Sequence, residues 1–346
     1  GLPLFEAAYS ALPIIAPGWS GQADFLYTLP KTTSKKNKKK KKAMFADVDY
    51  TIGPVPPEAV WPGVIEKESM WCHPTEGSFK LRMRQLRKDY NLLSYLSNYC
   101  DLSGANTYDM TREAVDNADF IIVSNFIHLP ADIKGYIEDS KPYIIYEHDH
   151  KYVQTRDPSI YVDFIVPPEL RTNESFYINA QKVFVLSSIC KEVLEKNIPE
   201  AKVYSIGCSL WSDETFDYIE ELLNEEKKND LCILKSGNPI KNTSQSLAYC
   251  EKNDIVPFEL SDPDYKTFLK KMASCKRFLF IPGVLETFSR ISAEAKMLNL
   301  KLLTTPKKLG FASEKDLFCL SGTELISALR GRNKLALGKF REELGL

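Results

Sequence analysis

Glu286 and Glu294 stand eight positions apart in the stretch 282–303, PGVLETFSRISAEAKMLNLKLL, directly after the apolar run RFLFI. The second part of the stretch reads as a helix, and eight residues is slightly more than two helical turns. Both carboxylates can therefore address the same side of the helix's N-terminal region. One can accept hydrogen bonds from the hydroxyls of a sugar, the other from the two hydroxyls of a ribose, while the N–H groups at the helix start suit a diphosphate. A capping loop followed by an ordinary surface glutamate has the same spacing. Some 45 residues earlier, 231–242 (LCILKSGNPIKN) reads as a strand, a turn at Gly237 and a loop whose Lys241 enters a helix; Lys241 also fits a solvated helix-start lysine. A third polar cluster, Glu147, His148, Asp149 and His150, ends the run YIIYEHDHK, and polar groups at a strand's carboxyl end often face a ligand cleft. His-x-His is also a metal pair in hydrolases, but such a site needs more ligands. Only His73 and His128 remain as histidines, neither in a ligand-like context. A polar strand end with no role is the plain alternative.

These residues need strands to carry them, and from about 97 onward the chain alternates in a βα rhythm. Strand-like runs recur at 120–124, 143–146, 164–166, 183–186, 231–234, 278–281 and 300–304, with helix-like stretches at 188–197, 212–228, 243–253, 264–274 and 287–299. Continuous apolar strands between amphipathic helices imply a parallel sheet covered on both faces. The acidic helix 213–228 divides the region into halves at 97–211 and 229–346, each the size of a modest α/β domain, and ligands bind between such domains at the strands' carboxyl ends. Residues 1–95 differ. They read as a helix at 2–11, a short buried strand at 12–16 and a basic amphipathic helix at 79–90, with Trp61 and Trp71 anchoring the packing. This is too little for a full sheet and reads as the back half of a domain. The loop 101–106, DLSGAN, lacks the spacing of a phosphate loop.

The 282–303 string resembles the E-x7-E motif of the retaining GT-B glycosyltransferases, in particular glycosyltransferase family 4, through Pro282, Glu286, Phe288, Glu294 and Ala295; Ser289 replaces the usual Gly. The resemblance implies Glu286 near the donor sugar and Glu294 on the ribose. The 231–242 stretch resembles the opening of that family's donor domain, where an Arg and a Lys bind the diphosphate. Lys241 fits the Lys, and Asn238 stands at the Arg position, so Lys235 or Arg290 would substitute. The opening GLPLFEAAYSALPIIAPGWSGQADF resembles the second half of the same motif, with Glu6 as its second glutamate and Gly21 and Asp24 following. The implied fold is α/β and GT-B-like: two Rossmann-like domains facing a cleft, preceded by a partial Rossmann-like donor domain of an upstream unit. The implied activity is hexosyl transfer from a nucleotide-diphosphate sugar, with retention, no cofactor and no essential metal. Gly237, Phe288 and Ser289 would line the donor site, and His148 or Asp149 would contact the sugar or acceptor. The acceptor stays open among glycan, lipid and small molecule. With Asn238 for Arg and Ser289 for Gly, a catalytically degenerate binding module is the competing reading.

The net charge of −1 does not argue for nucleic acid. Eight of the twelve residues of 31–42 are lysine, a density that predicts a solvated loop and leaves peripheral contact with acidic lipid open. The eight cysteines are scattered without a CxxC pair, several inside apolar runs, which reads as reduced thiols in a cytoplasmic protein. Neither a signal peptide nor a membrane-length apolar run is visible, and the chain opens mid-pattern on Gly1, as a fragment would.

Overall fold

The computed structural model describes residues 14–19, 27–28, 42–43, 45–60, 65–76, 78, 92, 96, 110–127 and 129–346. Expectations placed on Glu6, Gly21, Asp24, Trp61 and His128, on residues 31–41, on the helices at 2–11 and 79–90 and on the loop 101–106 lie outside these residues. The chain divides into two compact units, Gly1–Leu93 and Ser94–Leu346.

In the first unit β1 (Ile15–Ala16) runs parallel to β4 (Ala46–Asp47). β2 (Tyr27–Thr28) pairs antiparallel with β3 (Lys42–Ala43), and β5 (Tyr50–Pro54) with β6 (Met70–Pro74). Ile14, Ala16, Val48, Val55 and Cys72 are buried among them.

The second unit is α/β, with two four-stranded parallel sheets among its described residues. β7 (Ile121–Val123), β8 (Tyr143–Tyr146), β9 (Lys182–Val185) and β10 (Val203–Ser205) lie side by side in chain order. β11 (Asn229–Leu234), β12 (Phe258–Leu260), β13 (Cys275–Phe280) and β14 (Lys301–Thr304) are arranged β12-β11-β13-β14. Helices α1 (Arg112–Asp116), α2 (Ala131–Ser140), α3 (Glu174–Ile178) and α4 (Ser188–Asn197) serve the first sheet. α5 (Asp213–Glu221), α6 (Thr243–Lys252), α7 (Tyr265–Ala273), α8 (Arg290–Met297), α9 (Gly310–Ser313), α10 (Lys315–Phe318) and α11 (Gly322–Glu343) follow. Parallel neighbours need such crossovers, and this gives two Rossmann-like halves.

All four residues of β8 are buried, as a strand covered on both faces requires. Tyr143 and Ile145 face a core shared with Ile133 and Ile137 of α2, Phe176 of α3 and Val193 and Leu194 of α4. Tyr146 points the other way and meets Phe340 of α11, ring centroids 5.1 Å apart, while Phe184 of β9 lies 4.2 Å from the same ring. An ion pair from Lys182 to Glu343 (3.3 Å) and a hydrogen bond from Gln181 to the Glu343 carbonyl extend this seam. The C-terminal end of α11 thus reaches the first sheet, while the rest of the helix packs on α5, α8 and α10. Side-chain caps start α1, α4, α5 and α7, for example Ser212 on Thr215 N–H and Asp264 on Thr267 N–H, each cap being worth about 1 kcal/mol.

Four features depart from the sequence expectations. Residues 164–166 form no strand. Val162–Phe164 is a 3₁₀ turn with Asp163 and Phe164 at φ 51° and 60°, and side chains serve the backbone of buried Val166. Its N–H donates to Asn197 Oδ1 (2.8 Å) and its carbonyl accepts from Arg171 Nε (2.9 Å). The acidic helix ends at Glu221 and runs into the 3₁₀ turn Leu222–Asn224. The helix expected at 287–299 starts at Arg290, because Ser289 is left-handed. β10 and β12 are additional edge strands. Among the described residues no helix is long and apolar enough to cross a membrane.

Candidate functional site

The segment after β13 crosses the carboxyl ends of the second sheet and is bonded on every side. Gly283 N–H donates to the Ile240 carbonyl (3.2 Å) and Glu286 N–H to that of Lys308 (3.0 Å). Gly310 N–H donates to the Glu286 carbonyl (2.8 Å), closing a parallel bridge between Glu286 and Leu309. Lys308 Nζ donates to the Gly283 carbonyl (3.2 Å). The Glu286 carboxylate receives the ammonium of Lys241 at 2.7 Å, and both side chains keep some exposure, 11% and 31%. Lys241 ends the 3₁₀ turn Pro239–Lys241 beyond β11, the strand beside β13. Asn238 Oδ1 caps that turn by accepting the Ile240 N–H (3.1 Å). Two residues expected to act in one site thus meet.

Others are placed differently. Lys235 pairs with Glu259 of β12 (2.6 Å) and is largely exposed. Gly237 has open space around it and no positive φ, so its turn does not depend on a glycine. Phe288 is buried between Trp211 and Phe311. Ser289, at φ 69° and ψ 80°, occupies backbone that suits glycine, with its hydroxyl 2.9 Å from that of Ser292. Ser289→Gly is therefore expected to stay within about 1 kcal/mol of wild-type stability, while Ser289→Val falls by about 2 kcal/mol or more; urea unfolding of the pair checks this. Glu294 is 3% exposed. Its Oε1 accepts hydrogen bonds from Trp211 Nε1 (3.0 Å) and Tyr265 Oη (2.5 Å), with Arg290 Nε at 3.5 Å. The Arg290 guanidinium lies over the Trp211 ring at 5.1 Å.

The first half reaches the same segment. Thr287 Oγ1 donates to the His148 carbonyl (2.9 Å), Leu285 N–H to Asp157 Oδ1 (3.1 Å), and the Leu285 carbonyl lies 3.2 Å from His150 Nε2. The His150 ring is buried, with Nδ1 3.2 Å from the Tyr152 hydroxyl, and burial pushes its pKa down. The loop 147–151 is held from within. Buried Lys151 donates to buried Glu147 at 2.9 Å, and Tyr177 Oη and the Asp149 N–H (2.7 Å) donate to the same carboxylate. Burial alone would raise the Glu147 pKa. The Lys151 charge and these hydrogen bonds outweigh it and hold the pKa below the usual carboxylate range. Asp149 is partly exposed, with Oδ2 3.8 Å from Lys151 Nζ. Cys190, 3.9 Å from His150, is pushed up to about 12 by burial and stays a thiol.

No protein-family model matches this sequence, and no curated protein matches it. Among solved structures, the chain is similar to a GtfA/B complex at 10% identity and TM-score 0.38, covering 68% of this chain and 59% of that one. It is similar to an α,α-trehalose-phosphate synthase (UDP-forming) from Burkholderia vietnamiensis at 8% identity and TM-score 0.39, covering 81% and 86%. It is also similar to the pneumococcal O-GlcNAc transferase GtfA in complex with UDP and GlcNAc, at 11% identity and TM-score 0.35, covering 68% and 58%. The chain thus spans less than two thirds of the length of the first and third of these.

Three residues of the site escaped the sequence reading. Lys308 had a signal, the basic pair of TTPKKLG between a strand and a glycine. Asp157 and Tyr265 act on partners 128 and 29 positions away, with no local pattern to announce it. Among the described residues, no group of three or more His, Cys, Asp or Glu side chains could hold a metal ion.

Proposed function

We propose that this chain is a GT-B-type glycosyltransferase that moves a hexose from a nucleoside-diphosphate sugar to an acceptor hydroxyl, with retention. The Lys241–Glu286 pair supports this reading: a cation and a carboxylate 2.7 Å apart at the carboxyl ends of adjacent strands, both within reach of solvent. Lys241, assisted by Lys308 and the start of α8, would neutralise the departing diphosphate. Glu286 would then exchange its internal cation for the sugar hydroxyls. Glu294 would hold the ribose, and the acceptor would approach from the His148 and Asp149 side.

Calorimetry with UDP and GDP tests the reading. One of them is expected to bind wild type on the order of micromolar, and Lys241→Ala to weaken it at least about tenfold. Glu286→Gln should keep the nucleotide, because it frees Lys241, yet lose about a hundredfold in turnover of the nucleotide sugar. Failure of both nucleotides to bind, or an unaffected Lys241→Ala, would sink the proposal. The binding-module reading is favoured by one observation, Asn238 capping a turn where the family pattern has a diphosphate-binding Arg. Nucleotide binding without turnover would establish it instead.

A further inference from the structure

The Glu294 carboxylate is already in use. A carboxylate that reads a ribose offers one oxygen to each hydroxyl, and each oxygen has two lone pairs. Here Oε1 accepts both the Trp211 indole and the Tyr265 phenol, which fills it. One donor has to leave before a diol can be read with both oxygens. Trp211 is 1% exposed, lies against Phe216 and Phe288 and sits under the Arg290 guanidinium, so its indole N–H stays. Tyr265 differs. It is only half-buried, it is the first residue of α7, and the residues before it are mostly exposed. Rotation about its own side-chain bonds withdraws the phenol without disturbing the cap that Asp264 places on Thr267.

We infer that Tyr265 is an internal stand-in for the ribose: its hydroxyl occupies Glu294 in the free protein and is displaced when a nucleotide binds. This rests on the nucleotide-sugar reading above and adds a regulatory residue to it. A displaced stand-in lowers affinity by the strength of the bond it gives up, and a hydrogen bond to a buried carboxylate is among the stronger ones.

The test is Tyr265→Phe, which keeps the ring and removes the donor, compared with wild type by calorimetry on UDP, GDP and their 2′,3′-dideoxy analogues. The variant is expected to bind the ribonucleotide about tenfold more tightly than wild type. The dideoxy analogue should bind both proteins equally, because without the hydroxyls it does not compete for Glu294. Equal ribonucleotide affinity in the two proteins overturns the inference and leaves the nucleotide-sugar reading standing. So does an equal gain for the dideoxy analogue, which marks a change in packing. If neither protein binds any of the four nucleotides, the inference falls together with the reading it rests on.

Discussion

Lys151→Met is expected to lower stability by about 3–5 kcal/mol at pH 7, because it leaves the buried Glu147 carboxylate without its cation. The pH dependence of that loss separates this cause from mere repacking. In wild type the folded pKa of Glu147 lies below its unfolded value, so the pair's contribution is complete above the ordinary carboxylate range and is lost as pH falls through the folded pKa. In Lys151→Met the folded pKa rises above the unfolded value. The variant then loses stability as pH rises from about 4 toward that raised value, and its deficit against wild type shrinks in acid. Buried neutral His150 makes both proteins weaker below about pH 6.5. Adding Glu147→Gln to the variant should recover part of the loss. A deficit under 1 kcal/mol, or one that is the same at pH 5 and pH 8 in urea unfolding, would show that the pair does not act this way.

Gly310→Ala is expected to cost about 3 kcal/mol or more and, on the function proposed above, to remove nucleotide binding with it. A Cβ at this position would stand 2.1 Å from the Thr287 carbonyl oxygen and 2.6 Å from Ser187 Oγ. The nearer atom is backbone, in the segment that carries Glu286, and Ser187 caps α4 of the first half by accepting the Cys190 N–H. Relief of the clash must therefore separate the 286–288 and 309–311 segments, which are joined by the Glu286–Leu309 bridge and by the Phe311 N–H on the Phe288 carbonyl. Gly331→Ala is the control. It lies inside α11 with nothing within 4 Å of its added Cβ, and it should be neutral or stabilise by up to about 1 kcal/mol. Thermal unfolding of the two variants, followed by UDP and GDP titration, decides the matter. Equal melting temperatures would refute the steric argument.

The strands that carry the site could be read because they are continuous apolar runs: YIIY and LCIL fall within observed strands, and three of the four residues of FLFI lie in β13. β10 and β12 could not, since three-residue edge strands such as VYS and FEL mix polar and apolar residues. The apolar run around Phe164 misled for the opposite reason. Phe164 is half-buried, Ile165 is exposed and Val166 is buried, in a loop whose backbone is satisfied by Asn197 and Arg171. In the site, type and spacing left Glu286 and Lys241 open to surface roles, and the resemblance assigned them to one site, where their side chains meet. The occupation of Glu294 was not, because the Trp211 bond joins residues 83 positions apart. The capping by Asn238 was hidden by a family pattern that suggests a different residue there.

The contact that the end of α11 makes with the first sheet bears on how the protein is made. Tyr146 and Phe184 meet the rings of His148 and Tyr204 close by in the chain, and also that of Phe340, more than 130 positions further along. Gln181 and Glu343, bonded along the same seam, are 162 positions apart. At about 5–20 residues added per second, a ribosome takes on the order of ten to thirty seconds to span that gap. For that interval the nascent first half lacks the contacts that Phe340 and Glu343 supply.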